Sequence, residues 1–402
     1  MKKRPILAFL ACYGPETRAF GYSGLLDRLS RDCEPFIVTV RPESEGFSGS
    51  SYPVVRGPFA AESRMMERVR GLSRRLRARG VTGGADGERK IARVAGGSPG
   101  WRRFFVDHQV DALVTTSYSS ARTLPALQTA VNMDLPSVVL LNSWKDVSAK
   151  PYAPAHPSAL GAANTDELDR FDAANPDFKG SASVMGSLHL SAILSQHGKL
   201  RRADFCHGLA LDPARPILCY VASAGRAAET ESAWVRALAQ AVKQWPFRPQ
   251  LLVRANPMAA QTHFDAETVW RPDWEWDRQA DWCCPSIGDL RFWAAALDHA
   301  DALISAPSTV SMEASAVRRP VVNLVAEPLW RQAWEAPFYS EAREGGWVTA
   351  ASSIEEVEGR VTAILEGARP SEWPRTVDAL AIAEKLIRGV VFQPTALANR
   401  AA

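Results

Sequence analysis

Short apolar runs recur along this chain, each closed by turn residues and followed by a stretch with helical spacing. In the first half the runs fall at residues 6–11, 36–40, 112–115, 138–141, 159–163 and 182–185. Helical periodicity marks residues 24–31, 62–79 and 124–131 between them. Strands that alternate with helices predict βαβ units, a parallel sheet, and ligand sites at the carboxyl ends of the strands. The alternation halts over residues 189–212, which are helical and polar, and then restarts. Strands at 217–221, 251–254, 302–305, 321–325 and near 347–350 are predicted, with helices at 231–244, 290–299, 311–317 and 354–365. A last helix falls at about 377–389. The pattern predicts an α/β protein of two doubly wound Rossmann-like domains facing one cleft. The boundaries expected are 1–195 and 196–402, with a hinge near 190–213. Residues 80–100 are Gly-rich and are expected to form a mobile loop.

Composition changes little in this picture. A chain of 402 residues suits two cores rather than one. No apolar run reaches the roughly 18–20 residues needed to span a bilayer. The apolar start, residues 6–12, is too short for a secretory leader and reads as the first strand, so a cytoplasmic protein is expected. Its six cysteines then stay reduced. Cys283 and Cys284 have no second pair at metal-ligand spacing, and no metal site is expected.

Charge is more informative. The net value is only +3, yet residues 64–103 hold twelve of the Arg and Lys side chains in a basic insertion at 61–103. A solvated helix face accounts for this, and so does peripheral contact with an anionic membrane surface at the inner face. No nucleic-acid motif accompanies the charge.

Candidate chemistry follows from what each strand opens onto. After strand 302–305 comes Ala306-Pro307-Ser308-Thr309, where the next helix begins. A helix start offers unpaired N–H donors and the positive end of the macrodipole, so it suits phosphate. Glu313, two turns in, suits neutral hydroxyls such as those of a ribose. The alternative is that Ser308 and Thr309 only cap the helix. Strand 217–221 leads into a small-residue turn with Ser223, Gly225 and Arg226, which admits a phosphate close to the backbone. Strand 251–254 ends in Arg254 and Asn256. In the first domain, Tyr13, Gly14 and Glu16 follow the first strand, and Ser117 and Tyr118 follow the strand at 112–115. Ser143, Trp144, Lys145 and Asp146, then Lys150, follow the strand at 138–141. That lining suits a polyhydroxylated or phosphorylated acceptor. Trp144 either stacks on a sugar face or packs against its own loop. His189 lies near the domain boundary, with a hydrogen-bonded structural role expected.

The second half resembles the nucleotide-binding domain of GT-B-fold glycosyltransferases. The matching segments are ILCYVASAG, RANP and HADALISAPSTVSMEASAVRRPVV. The first half resembles the acceptor domain of bacterial surface-carbohydrate proteins of this fold, including CDP-glycerol glycerophosphotransferase-like members, through SWKDVSAK and VMGS. The resemblance implies a glycosyltransferase that moves a sugar from a nucleotide-diphosphate donor to a glycan or lipid-linked hydroxyl acceptor. It implies that Ser308, Thr309 and Glu313 hold the donor's phosphates and ribose, with Arg254 beside the phosphates. Neither cofactor nor metal is implied, in keeping with the lack of an Asp-x-Asp motif. Glu16 or Asp146, from loop position alone, would deprotonate the acceptor. Asn256 stands where many relatives have histidine, and Lys145-Asp146 replaces Asp-Asn. A glycerophosphotransferase, a UDP-N-acetylglucosamine 2-epimerase or an inert nucleotide-binding scaffold are the alternatives.

Overall fold

The computed structural model describes residues 3–59, 84–95, 97–223, 228–257, 263–277, 282–369 and 378–392, together with 68–69, 71–73, 75 and 371. They divide into two compact units. One spans residues 1–191, 276–284 and 377–402, the other 192–275 and 285–376.

The first unit is built on a seven-stranded parallel sheet. Its strands are β1 (Ile6–Ala11), β2 (Glu34–Thr39), β3 (Val54–Arg56), β4 (Ala112–Thr115), β5 (Ser137–Leu140), β6 (Ala159–Ala162) and β7 (Ser181–Val184). They lie in the order β3-β2-β1-β4-β5-β6-β7. β1 is central, pairing with β2 at Leu7↔Pro35 and with β4 at Leu7↔Ala112. Its alternate side chains feed two cores. Leu7, Phe9 and Ala11 join one, and Ala8 and Leu10 the other. That two-sided burial is why β1 reads as an unbroken apolar run. Leu25, Leu26 and Leu29 cover one face together with the last helix. Trp101, Phe104, Phe105 and Leu127 cover the opposite face.

The second unit holds a six-stranded parallel sheet. Its strands are β8 (Ile217–Val221), β9 (Gln250–Arg254), β10 (Thr268–Trp270), β13 (Ala302–Ser305), β14 (Val321–Leu324) and β15 (Thr349–Ala351), ordered β10-β9-β8-β13-β14-β15. β11 (Trp274–Asp277) and β12 (Trp282–Pro285) form a separate two-stranded sheet. The helices that matter below are α1 (Gly84–Ala95), α2 (Asp146–Ala149), α3 (Thr165–Ala174), α4 (Ala228–Val242), α5 (Ile287–His299), α6 (Thr309–Ala316), α7 (Ile354–Leu365) and α8 (Ala379–Phe392).

The two doubly wound sheets agree with the fold class expected. The elements missed are mainly short ones. β3, β10, β11 and β12 have three or four residues each, too few for a periodic signal. One expectation is corrected: residues 84–95, taken for part of a mobile loop, form α1. Glycine is a poor helix former, but α1 is anchored from one face. Ala92 and Glu88 are buried, and Arg89 donates to Asp177 at 2.7 Å, bonds His156 Nε2 at 2.7 Å and lies 5.0 Å from the Tyr152 ring. Tertiary contact overrides propensity there. It also ties one of the twelve basic residues to the protein itself. Most of the basic stretch, residues 64–83, lies outside the described residues. Among the described residues no helix is long and apolar enough to cross a membrane.

The topology fixes where chemistry can sit. In the first sheet the chain winds outward from β1 in one direction and from β4 in the other. The second sheet does the same from β8 and β13. At such a reversal the loops leaving the two adjacent strands splay apart, and ligands bind in the opening at their carboxyl ends. The loops after β1 and β4, and after β8 and β13, are therefore the positions to inspect.

Candidate functional site

At the reversal point of the first sheet, Glu16 stands 4% exposed on a four-residue helical turn, Gly14–Thr17. Its Oε2 accepts the backbone N–H groups of Cys12 and of Tyr13, the latter at 2.9 Å. Its Oε1 accepts the Thr116 hydroxyl from the loop after β4 at 2.8 Å. Burial pushes Glu16 up to about 7 against the pull of these three donors, and the charge of Asp146 adds to the rise. The carboxylate thus bridges the two loops with both oxygens engaged. Beside it the Arg122 guanidinium lies 5.0 Å from the Tyr13 ring centre.

Asp146 opens α2 after β5. Its Oδ2 accepts the N–H groups of Asn142 at 3.2 Å and Ser143 at 3.1 Å, which closes the turn. Burial raises its affinity for a proton, while those two N–H groups and the nearby Lys145 and Lys150 lower it. Its Oδ1 accepts nothing from the described residues. A third carboxylate, Glu167 of α3, went unnoticed in the sequence. It is 1% exposed and accepts the N–H groups of Val147 at 2.6 Å and Ser148 at 3.1 Å, so it caps the short α2 from a distance of twenty residues. Burial raises Glu167 also, with Asp146 adding to the effect.

The other predicted acceptor residues divide. Lys145 and Lys150 are exposed and Tyr13 and Ser143 are half-buried. Gly14 is buried in the Glu16 turn. Ser117 accepts the N–H groups of Ser119 and Ser120 at 3.2 and 3.0 Å and so stiffens its own loop. Tyr118 is 1% exposed and donates to the Lys150 carbonyl at 2.7 Å. Trp144 is 5% exposed, which corrects the stacking-platform expectation in favour of packing against its surroundings. A further pair joins the set: Arg18, 4% exposed within a π-helical turn at Arg18–Tyr22, lies 2.9 Å from Nε2 of the half-buried His189. A guanidinium only donates, so Nε2 accepts and His189 keeps its proton on Nδ1.

At the reversal point of the second sheet the pattern differs. Ser308 precedes α6 in extended backbone and makes no side-chain bond to the helix it begins. Other helices of the protein are capped: Ser286 accepts Asp289 N–H at 3.0 Å on α5, and Ser353 accepts Glu356 N–H at 3.2 Å on α7. The capping expectation for Ser308 therefore fails for the hydroxyl itself. Thr309 is half-buried as the first residue of α6.

Glu313 is 3% exposed, and its Oε2 accepts Trp293 Nε1–H at 2.9 Å. Trp293 in turn lies 4.7 Å from the Arg254 guanidinium, with Trp270 at 5.2 Å. Arg254, 5% exposed, is thus held against two indoles at the end of β9, a rigid placement for a cation. Asn256 donates to the Ala222 carbonyl at 3.4 Å, which joins the loops after β8 and β9. Ser223 is engaged from within: its N–H at 2.8 Å and its hydroxyl at 3.0 Å both reach Glu231, which also accepts Tyr220 Oη at 3.0 Å. Burial raises Glu231. Gly225 and Arg226 lie outside the described residues. Neither Glu231 nor Trp293 was singled out in the sequence, since a glutamate or tryptophan within a helix carries no signal of which loop it meets.

A groove of about 1810 Å³ lies elsewhere, at the amino ends of β5, β6 and β7, where Ser137, Ser158 and Ser181 face Lys385 and Arg388 of α8. It contains none of the predicted site residues.

No family model matches this chain, and no curated protein matches it. Solved structures do. The UDP-N-acetylglucosamine 2-epimerase of Neisseria meningitidis bound to UDP-GlcNAc aligns over 98% of this chain and all of its own, at 10% identity and a TM-score of 0.60. S. aureus MnaA in its co-structure with UDP aligns over 98% of both chains, at 10% identity and 0.61. The wall teichoic acid polymerase TagF aligns over 97% of this chain and 89% of its own, at 8% identity and 0.53. The fold is of the GT-B type. Likeness at this identity extends to the fold and no further.

Proposed function

We propose that the chain is an enzyme that binds a nucleoside-diphosphate sugar at the second reversal point and moves the sugar to a hydroxyl acceptor. The single observation that carries this reading is α6. Its start lies at the carboxyl end of β13, its cap hydroxyl leaves the helix unserved, and Arg254 stands at the end of β9, on the far side of β8 from β13. N–H donors and a fixed cation at a sheet reversal suit a diphosphate and would stabilise it as leaving group without a metal. The acceptor's proton would pass to Asp146. Its Oδ2 is pinned, its Oδ1 accepts nothing from the described residues, and burial raises its affinity for a proton. Glu16 is the poorer candidate, because both of its oxygens already accept bonds from the protein. Cytoplasmic action on a glycan or lipid-linked acceptor remains the expectation.

The experiment is a panel of UDP-, CDP- and GDP-sugars offered with and without cell-envelope acceptors, with nucleoside diphosphate release measured. Asp146→Asn should lower acceptor-dependent release by about 10²- to 10⁴-fold and leave nucleotide affinity unchanged. Full activity in that variant would reject Asp146 as the base. The end-to-end alignment with epimerases favours a second reading, interconversion of the sugar at its 2-position. That reading predicts a changed sugar, still attached to its nucleotide, when no acceptor is present.

A further inference from the structure

Beneath the start of α6 lies a sealed group of polar side chains that the reading above leaves unexplained. Tyr339, Asn323, Ser305 and Ser311 are each 0–1% exposed. Tyr339 Oη donates to Asn323 Oδ1 at 2.6 Å. Asn323 Nδ2 faces the Ser305 carbonyl at 3.1 Å, the Ser305 hydroxyl at 3.2 Å and the Ser311 hydroxyl at 3.0 Å. The two serine hydroxyls are 3.0 Å apart. One turn further on, Ser315 Oγ donates to the Ser311 carbonyl at 2.9 Å and reaches the Trp347 carbonyl at 3.3 Å.

Four elements meet in this group. Ser305 ends β13, Ser311 lies in the first turn of α6, Asn323 lies on β14, and Tyr339 ends a short 3-10 turn, Pro337–Tyr339. The segment between Ser305 and Ser311 is the Ala306-Pro307-Ser308-Thr309 turn. Both of its ends are therefore tied to the same asparagine.

We infer that Tyr339 is a positioning residue for the phosphate-binding start of α6, acting through Asn323 on Ser305 and Ser311. This rests on the nucleotide reading above. Stability alone gives no reason for such a group. A fully satisfied buried polar network returns little more than it costs to desolvate, and apolar side chains of the same shape serve a core as well. Asparagine is disfavoured in strands and serine within helices. Directional bonds do what apolar contacts cannot: they fix the rotation and rise of a helix relative to the strand before it. Ser308 does not set that geometry through its own cap. An N–H donor weakens steeply when it tilts from its acceptor, so the angle of the first turn governs how well it holds a phosphate. The Tyr339 oxygen also has the Ser308 backbone beside it. That neighbour, with Ser311 and Asn323, offsets part of the rise that burial imposes on the phenol.

The test is titration calorimetry of wild type with UDP, CDP and GDP, then of Tyr339→Phe and Asn323→Leu with the tightest of these and with its parent nucleoside. Tyr339→Phe should bind the diphosphate about fivefold more weakly or worse, as the loss of one orienting bond implies. Its affinity for the nucleoside, which lacks phosphate, should match wild type, while its melting temperature should fall, because the buried Asn323 Oδ1 loses its donor. Asn323→Leu should lose more diphosphate affinity, again with nucleoside affinity kept, and should melt lower still, because it strands the buried Tyr339 hydroxyl; if it does not fold, Tyr339→Phe decides alone. Equal diphosphate affinity in wild type and Tyr339→Phe overturns the inference, as does an equal loss for nucleoside and diphosphate. A wild-type protein that binds none of the three diphosphates overturns the nucleotide reading first, and the inference with it.

Discussion

Each sheet begins with a strand whose following loop is held by a buried glutamate, and the two diverge in what that glutamate does next. In the first unit Glu16 takes the N–H groups of Cys12 and Tyr13 and then reaches across the reversal point to Thr116. In the second, Glu231 takes the N–H and hydroxyl of Ser223 and then turns back to Tyr220 on its own strand. The first reversal point is thereby bridged by protein atoms. At the second, the start of α6 has no cap from the Ser308 side chain. The same side chain thus ties two loops together at one reversal point, and at the other, among the described residues, it holds only its neighbouring strand and the loop that follows. In the function proposed above, the proton of the acceptor falls instead to Asp146, whose Oδ2 is held by the N–H groups of Asn142 and Ser143.

Five substitutions would break or sharpen that contrast. The largest effect is expected of Glu231→Ala, which leaves the Ser223 N–H, the Ser223 hydroxyl and the buried Tyr220 hydroxyl without their acceptor. A loss of about 4 kcal/mol is expected, since each stranded buried donor costs about 1–3 kcal/mol, measured by denaturant unfolding of the whole chain. A loss below about 1 kcal/mol would mean that Glu231 is no clamp.

Next is Glu16→Gln, read through pH. Burial holds Glu16 at about 7 in the folded protein, above its ordinary value of 4.5. Between those two values the folded state keeps a proton that the unfolded chain has released. Wild-type stability contributed by this group is therefore present below the ordinary carboxylate range and lost as pH rises to about 7. Glutamine does not titrate, so the stability difference between the two proteins should shift by roughly 3 kcal/mol between pH 4.5 and 8. A difference that stays flat would remove Glu16 as a titrating bridge.

Thr116→Val deletes only the bond that crosses the reversal point and should cost about 1 kcal/mol, with faster amide exchange in the loop at 116–120. The smallest effect separates two serines at helix starts. Ser353→Ala should cost about 1 kcal/mol through loss of a working cap. Ser308→Ala should cost next to nothing in thermal unfolding, because its hydroxyl serves no helix N–H. An equal loss from both would contradict the uncapped start of α6.

How far these features could be read in advance differs by residue. The places of Ser308 and Thr309 at a helix start and of Arg254 at a strand end were legible because a strand, a turn and a helix start leave local marks. Glu16 and Asp146 were legible as loop acids, but the bonds each of them accepts were not. Those bonds depend on Thr116, a hundred residues from Glu16, and on two backbone N–H groups that only a folded turn brings to Asp146. Trp144 was left open between stacking and packing because an indole beside a strand end reads alike whether it faces solvent or packs inward; its burial favours packing. Residues 84–95 misled because the Arg89 contacts that hold α1 come from residues 152, 156 and 177.

Apolar periodicity alone was enough to establish two wound sheets and the strand ends at which chemistry could sit, since burial on both faces of a strand is written in every residue of it. Strand order was not written there. Only the assembled sheets show that β1 lies against β4 and β8 against β13, and so which loops part to admit a ligand. The same holds for Trp293 and Tyr339. Each meets residues distant in sequence, Glu313 and Arg254 for the first and Asn323 for the second, and a side chain's partner across a core is set by packing, which no local pattern records.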